Sequence, residues 1–410
     1  MTAKDRIILR DLAKRVREVA EGERMAELRK KWIRHNDFET SEPMVLFETG
    51  GMVCEAAPDA LLECESDDAR AAERVLRLRL FQAESIRDDT VIDADFRVNW
   101  DVKQDGWRKR AHNRHGDVGD EHQAGYVPIP VLTDPKQIVD MPYTTYSVDR
   151  EGTARTLAFW ENVFGDLLSV RLRGTYWWTL GLTWDFLRLT GLEAFLTMPY
   201  DDPKSFSDIM KFLENDALGF VKFLEAEDLF TLNNANDYVG SGTLGYTSLL
   251  PGEDFAGHVK AKHLWCLVES QESVVMSPKM FAEFIFPHQN RVAQAFGLSY
   301  YGCCEPIDQR FDTISKIENL HTVSVSAWCN MRRMAAQIDR PLVWAAKPNP
   351  ALVSSLFEEE ALRGHCKEAL KCFGGEPMEL VMKDVHTVNG DLSRCGRWVE
   401  LAREEINRAL

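Results

Sequence analysis

Residues 298–346, LSYYGCCEPIDQRFDTISKIENLHTVSVSAWCNMRRMAAQIDRPLVWAA, carry the pattern that decides the fold. Three short apolar runs, SYYGC, TVSVS and LVWAA, are separated by two stretches with helical spacing, FDTISKI and NMRRMAAQI. Strand then helix, repeated, makes successive strands parallel, joined by crossover helices. The alternation continues outward on both sides. Upstream lie the strand LWCLVE and the helix SPKMFAEFIFPHQNRVAQAFG; downstream lie the helix PALVSSLFEEEALRGHCKEALKCF and the strand ELVMK. Further upstream come the strand VRLRG, a helical pair through PKSFSDIMKFLENDALGFVKFLEA and the strand DLFTLN. With the early extended segments MVLFET and DADFRVNW the count reaches about eight strands, the number that closes a (β/α)8 TIM barrel. An open doubly wound sheet is the alternative, but no glycine-rich dinucleotide fingerprint follows an early strand.

The first 34 residues place Ile8, Leu12, Val16, Val19, Met25, Leu28 and Trp32 at spacings of three to four between charged positions, the pattern of an amphipathic helical arm. The stretch EGE at 21–23 divides it. The arm is expected to span residues 1–36 and to pack on the domain surface or on a partner subunit, which would suit a homodimer; residues 37–410 are expected to form the barrel. Polar residues 103–128 read as a long N-terminal insertion, and long loops in barrels are often functional. The most apolar stretch, WWTLGLTWDFLRLTGLEAFL, contains Asp185, Arg188 and Glu193 and reads as a buried or half-buried helix, not a membrane span.

Of the 410 residues 45% are hydrophobic, enough for a large core, while 65 acidic against 49 basic residues give a net charge of -16. That balance repels a phosphate backbone and an anionic membrane, so neither is an expected partner. The opening MTAKDRIILRDLAKRV has charges every few residues and no continuous apolar core, unlike a secretory signal. Nine cysteines is an odd number, and Cys54, Cys64, Cys266 and Cys329 each stand alone in apolar contexts. Free thiols in a reducing cytoplasm are expected.

In a parallel barrel the reactive groups follow the strands, because the βα loops build the mouth while the opposite face serves stability. After DLFTLN this rule selects Asn236, Asp237 and Tyr238, beside glycines that let backbone approach a ligand or simply make turns. Glu269 directly follows LWCLV and Glu272 lies three residues on, carboxylates suited to cation binding or acid–base work; Ser277 and Pro278 read as a helix cap. After SYYG come Cys303, Cys304 and Glu305, soft and hard ligands within one turn. Neighbours on an extended strand point to opposite faces, so one of the two thiols is expected to face the mouth. Trp328 follows TVSVS, Lys347 follows LVWAA, and Lys383, Asp384 and His386 follow ELVMK. A zinc ion with three protein ligands and one open position would draw its set from Cys303, Cys304, Glu305 and His386, and would activate a thiol, alcohol or ether or loosen a methyl group. Glu269, Lys347 and Asp384 are then the catalytic candidates, and Asn236, Tyr238, Tyr301, Trp328 and Lys383 the substrate-binding ones, with Trp100, Trp107 and Trp344 as further walls. Each also has a plain structural reading as cap, turn or buried side chain.

From SPKMFAEFIFPHQNRVAQAFG into SYYGCCEP, and again through GLEAFLTMPYDDPKSFSDIMKFLEND and GGEPMELVMKDVHTV, the chain resembles the uroporphyrinogen decarboxylase superfamily, over roughly residues 155–400. The resemblance implies a (β/α)8 barrel and either decarboxylation or zinc-dependent methyl transfer involving a corrinoid. MVLFETGG has no counterpart of the decarboxylase's arginine-bearing segment, so the methyltransferase branch is the nearer likeness. That branch carries a His-x-Cys zinc motif after the corresponding strand and another Cys after the last strand. Here Tyr301-Gly302-Cys303 stands in the first place and His386 near the second, with Cys304 or Glu305 to complete the set. What the resemblance implies is a zinc-assisted methyltransferase for a small methylated substrate, served by a corrinoid protein docked over the mouth. The alternatives are a metal-free decarboxylase or lyase of a small anionic substrate, using Lys347, Lys383 and Asp384 or Asp237, and a non-catalytic binding barrel.

Overall fold

A computed structural model describes residues 1–115, 126–174 and 179–409. Residues 116–125 of the expected insertion, and Trp177 and Trp178 of the apolar stretch, lie outside the described residues. Eight strands pair in parallel: β1 (Met44–Phe47), β2 (Asp95–Asn99), β3 (Ser169–Arg173), β4 (Trp265–Val268), β5 (Leu298–Tyr301), β6 (Leu320–Val325), β7 (Val343–Ala346) and β8 (Met378–Met382). Six form one central sheet in the order β1-β8-β7-β6-β5-β4, and β2 pairs with β3. The expected strand DLFTLN is not one. Residues 229–233 have no strand pairing, and the Asn233 side chain takes over the ladder's work, accepting from the Trp265 N–H at 2.9 Å and donating to the Trp265 carbonyl at 3.1 Å.

Strands β1, β4, β6, β7 and β8 are buried at every position, the signature of parallel strands covered on both faces. Side chains alternate between the faces. On the outer face Val45, Phe47, Val268, Val323, Trp344 and Leu380 share a core with the helices. On the inner face Met44, Leu46, Leu267, Tyr300, Ala345 and Val381 pack with Phe96 and Val98 of β2.

The N-terminal arm is two helices, α1 (Ala3–Ala20) and α2 (Glu23–Asn36), started by a reciprocal Thr2–Asp5 capping box. Its apolar stripe, with Leu12, Val16 and Trp32, joins the inner-face core of this same chain. Helix α3 (Pro203–Ala226) is one continuous 24-residue element where the sequence suggested a pair; Pro203 at its first position and the Asp202 cap start it, and no internal Pro interrupts it. The insertion is not a plain loop either. Val102–Asp105 pairs antiparallel with Thr145–Val148, and His112–His115 with Tyr126–Ile129. Among the described residues no helix is long and apolar enough to cross a membrane.

Candidate active site

The sheet's register lines up charges at the carboxyl ends of its strands. Phe47 opposite Met382 puts Glu48 beside Lys383, and Val268 opposite Tyr301 puts Glu269 beside Gly302. Counting by twos from Met44, Leu267, Ala345 and Val381 brings Glu48, Glu269, Lys347 and Lys383 to the inner face, each the first residue past its strand. Lys347 is buried at 4% exposure, and its ammonium donates to Ser324 Oγ (2.7 Å), Tyr300 OH (3.2 Å) and the Cys303 carbonyl (3.2 Å). Burial pushes its pKa down, against the opposing pull of Cys303 and Cys304. Lys383 holds both Glu48 oxygens at 2.9 Å and also donates to Tyr238 OH. Burial disfavours that ammonium, but the Glu48 and Asp384 carboxylates outweigh it and its pKa rises.

Gly302 ends β5 with a left-handed φ of 96°, and a Cβ there would stand 3.0 Å from Ser324 Cβ. At this turn Cys303 and Cys304 leave the strand before their side chains can alternate, and the two sulfurs meet at 3.4 Å. Cys303 is 3% exposed, its carbonyl accepts from Ser324 Oγ at 2.6 Å, and Ser241 Oγ donates to its sulfur at 3.5 Å. Cys304 is half-buried and its S–H donates to Asp384 Oδ2 at 2.7 Å. The Cys304 contact, aided by the Lys347 ammonium and the Ser241 hydroxyl, outweighs burial and brings the Cys303 thiol down to about 7. Cys304 goes the other way, pushed up by Cys303 and by burial. The downward shift favours the thiolate, the nucleophilic form, at Cys303 over Cys304.

Two buried acids flank the pair. Glu305 accepts from the backbone N–H of Ser270 (3.0 Å) and of Cys303 (2.9 Å), one bond to each oxygen. Glu269 accepts from the Gln271 N–H at 2.9 Å. Burial first, then Glu305 and Glu272, push the Glu269 carboxyl well above the usual range, and burial raises Glu305 as well. Both hold a proton more readily than ordinary glutamates, which suits a general acid.

The segment after residue 233 covers this end of the inner face. A Cβ on Gly240 would stand 2.0 Å from Tyr300 Cδ2, so the loop glycine brings backbone onto a ring of the protein itself, not onto a ligand. That contact seats Ser241 against Cys303. Tyr238 donates to Glu48 Oε2 at 3.0 Å and receives the Gly242 N–H at 3.0 Å.

The structure therefore gathers Cys303, Cys304, Glu305, Glu269, Lys347, Lys383, Asp384 and Tyr238. It places the other candidates elsewhere. Asn236 donates to the Val91 carbonyl (3.0 Å) and to Asp93 Oδ2 (2.8 Å), and Asp237 pairs with Arg97 and Arg173. Tyr301 points to the outer face and donates to Gln289 Oε1 at 2.9 Å. Trp328 is 64% exposed, Trp107 is buried and donates to Asp216, and Trp344 stacks on Phe373 in the outer core. Trp100 lies under the Arg150 guanidinium. His386 is exposed, with Nδ1 turned toward Gly51. Zinc needs three or four side chains at about 2.0–2.3 Å. Among the described residues no three His, Cys, Asp or Glu side chains are grouped to hold a metal ion. Glu305 is committed to backbone and His386 is exposed, so the four expected ligands are not brought together. Sequence reasoning missed Glu48, Ser241, Tyr300 and Ser324. Glu48 was open to the same strand-end rule that selected Glu269.

No family model and no curated protein matches the chain. The likeness that exists is structural. The chain is similar in fold to a methyltransferase from Methanosarcina mazei. The two superpose with a TM-score of 0.52 at 10% identity, over 92% of this chain and 98% of the other. At that identity the likeness to the methyltransferase concerns the fold, and the chemistry has to be argued from the site.

Proposed function

We propose that the protein is a methyltransferase acting on a small substrate, with the Cys303 thiolate as the group that meets the methyl carbon. The observation that carries this reading is the placement of Cys303 just past a strand end, its sulfur 3.4 Å from Cys304 and 3.5 Å from Ser241 Oγ with the Lys347 ammonium on its carbonyl, on a fold shared with a methyltransferase. A soft, polarisable thiolate suits displacement at a methyl carbon, where the sulfur–carbon bond forms as the bond to the donor breaks and its electron pair leaves with the donor. Lys347 keeps the sulfur ionised, and Glu269 or Glu305 supplies the proton the leaving group needs. The exchange partner in this reading is a corrinoid carried by a second protein. The eight strands form a (β/α)8 barrel after the helical arm of residues 1–36; the Phe47 and Val45 N–H groups donate to Asp88 and Asp89 (2.8 Å each), which supports β1 approaching the segment that leads into β2. Lys347 and Lys383, which a carboxylate-binding decarboxylase would turn toward its substrate, both spend their donors on partners inside the protein.

The experiment is transfer of labelled methyl from methylcobalamin to a panel of small thiols, and in reverse from small methylated thiols and amines to reduced cobalamin. Turnover by the wild type and its loss in Cys303→Ser are expected; no transfer in either direction by folded protein overturns the reading. One observation favours a second reading, a non-catalytic binding barrel: Val239, Ser241, Thr243 and Leu244 are buried and fill part of the inner face with the protein's own chain. Binding of the same small molecules without turnover would select it.

A further inference from the structure

We infer that Cys303 and Cys304 form a redox modification site, a vicinal dithiol that closes reversibly into a disulfide between neighbouring residues when it meets a peroxide. Three observations carry this. The two sulfurs touch at 3.4 Å, so closure to a bond of about 2.05 Å needs an approach of about 1.4 Å. The left-handed turn at Gly302 takes both residues off the strand, where alternation would hold their side chains apart. Finally, the two thiols differ in access and partners. Cys304 is half-buried with its hydrogen on Asp384 Oδ2 at 2.7 Å, whereas Cys303 lies behind it at 3% exposure. All nine cysteines are free thiols, so closure competes with no existing bridge.

The steps balance. The Cys304 sulfur attacks one oxygen of hydrogen peroxide, its proton passes to Asp384, and the O–O bond breaks to leave Cys304 sulfenic acid and hydroxide, which recovers the proton as water. The Cys303 thiolate then attacks the Cys304 sulfur, the S–O bond breaks, and the departing hydroxide takes from solvent the proton that Cys303 released on ionising, leaving as a second water. Two thiols lose two hydrogens and two electrons, and one peroxide becomes two waters. Adjacent Cα atoms sit about 3.8 Å apart, short of the span of about 4.4–6.8 Å that ordinary disulfides occupy, so the closed ring is strained and readily reduced again. Bridges of that kind are the labile, regulatory ones. Closure itself is independent of methyl transfer; that it switches the enzyme off rests on the function proposed above.

The test reads mass, not activity. Trypsin releases residues 292–310, VAQAFGLSYYGCCEPIDQR, with these two cysteines and no others. After hydrogen peroxide and then iodoacetamide, the wild-type peptide should be two hydrogens lighter and unalkylated, and dithiothreitol before alkylation should return it to the doubly alkylated form. Cys303→Ser should stop one step earlier, with a dimedone adduct on Cys304. Overturning results are a doubly alkylated peptide after peroxide, a cross-link to another cysteine, or only irreversible oxygen addition. The wild-type peptide decides the matter even where the variant does not fold. A wild type that closes its disulfide but never transfers methyl sinks the enzymatic reading alone.

Discussion

Between Trp265 and Met382 the chain alternates strand and helix with little interruption, and β4 to β8 lie side by side in chain order; between Asp95 and Asn233 a longer stretch yields, among the described residues, β2 and β3, two antiparallel pairs and a terminal segment without ladder pairing. The first region carries Glu269, Cys303, Lys347 and Lys383 at its strand ends. The second contributes polar groups that bind the chain to itself, as Arg97 and Arg173 do with Asp237 just beyond its end. The difference teaches that the strand-end rule works where the strands are regular, because only there does the register fix which side chain reaches the inner face. In the irregular region the same residue types become clamps.

The largest expected effect separates the two regions by activity. Cys303→Ser should cost on the order of 10³-fold or more in methyl transfer, the scale seen when a reacting group is removed, with thermal stability little changed; a variant retaining more than about a tenth of the wild-type rate would break the contrast. Asp237→Asn should do the reverse. Breaking a buried, doubly paired carboxylate costs about 3–5 kcal/mol, read as a lower denaturant midpoint, while the Cys303 titration stays in place. If that titration moves, the irregular region is part of the chemistry. The smallest of the three effects belongs to Lys347→Met. Removal of the neighbouring ammonium raises the Cys303 pKa, so activity near neutral pH should fall about tenfold per unit of upward shift and recover as pH rises and thiolate returns. A loss that does not recover at high pH would make Lys347 structural only.

The sequence made the regular region legible for a physical reason. LVM at the end of β8, VWAA and WCLV are buried and read as continuous apolar runs, and the polar residue that ends each run announces the strand end. Cys303, Lys347, Lys383 and Glu269 were found in that way. Ser324 and Tyr300 were not, since within a strand the alternation alone does not say which face meets the site. Ser241 depends on how Gly240 lies on Tyr300, a contact nearly 60 residues away in sequence. DLFTLN has the composition of a strand, but Asn233 bonds through its side chain and displaces the ladder. His386 and Asn236 were chosen by position after a strand or strand-like run, and their side chains turn to other partners.

The central claim is that the strand-end network ionises Cys303. A pH titration of ultraviolet thiolate absorbance, taken as the difference between wild type and Cys303→Ser, tests it without requiring a reagent to reach a buried sulfur. The account predicts a midpoint near the value of about 7 set by Cys304, Lys347 and Ser241; a midpoint at the ordinary thiol value of about 8.5 or above would contradict it.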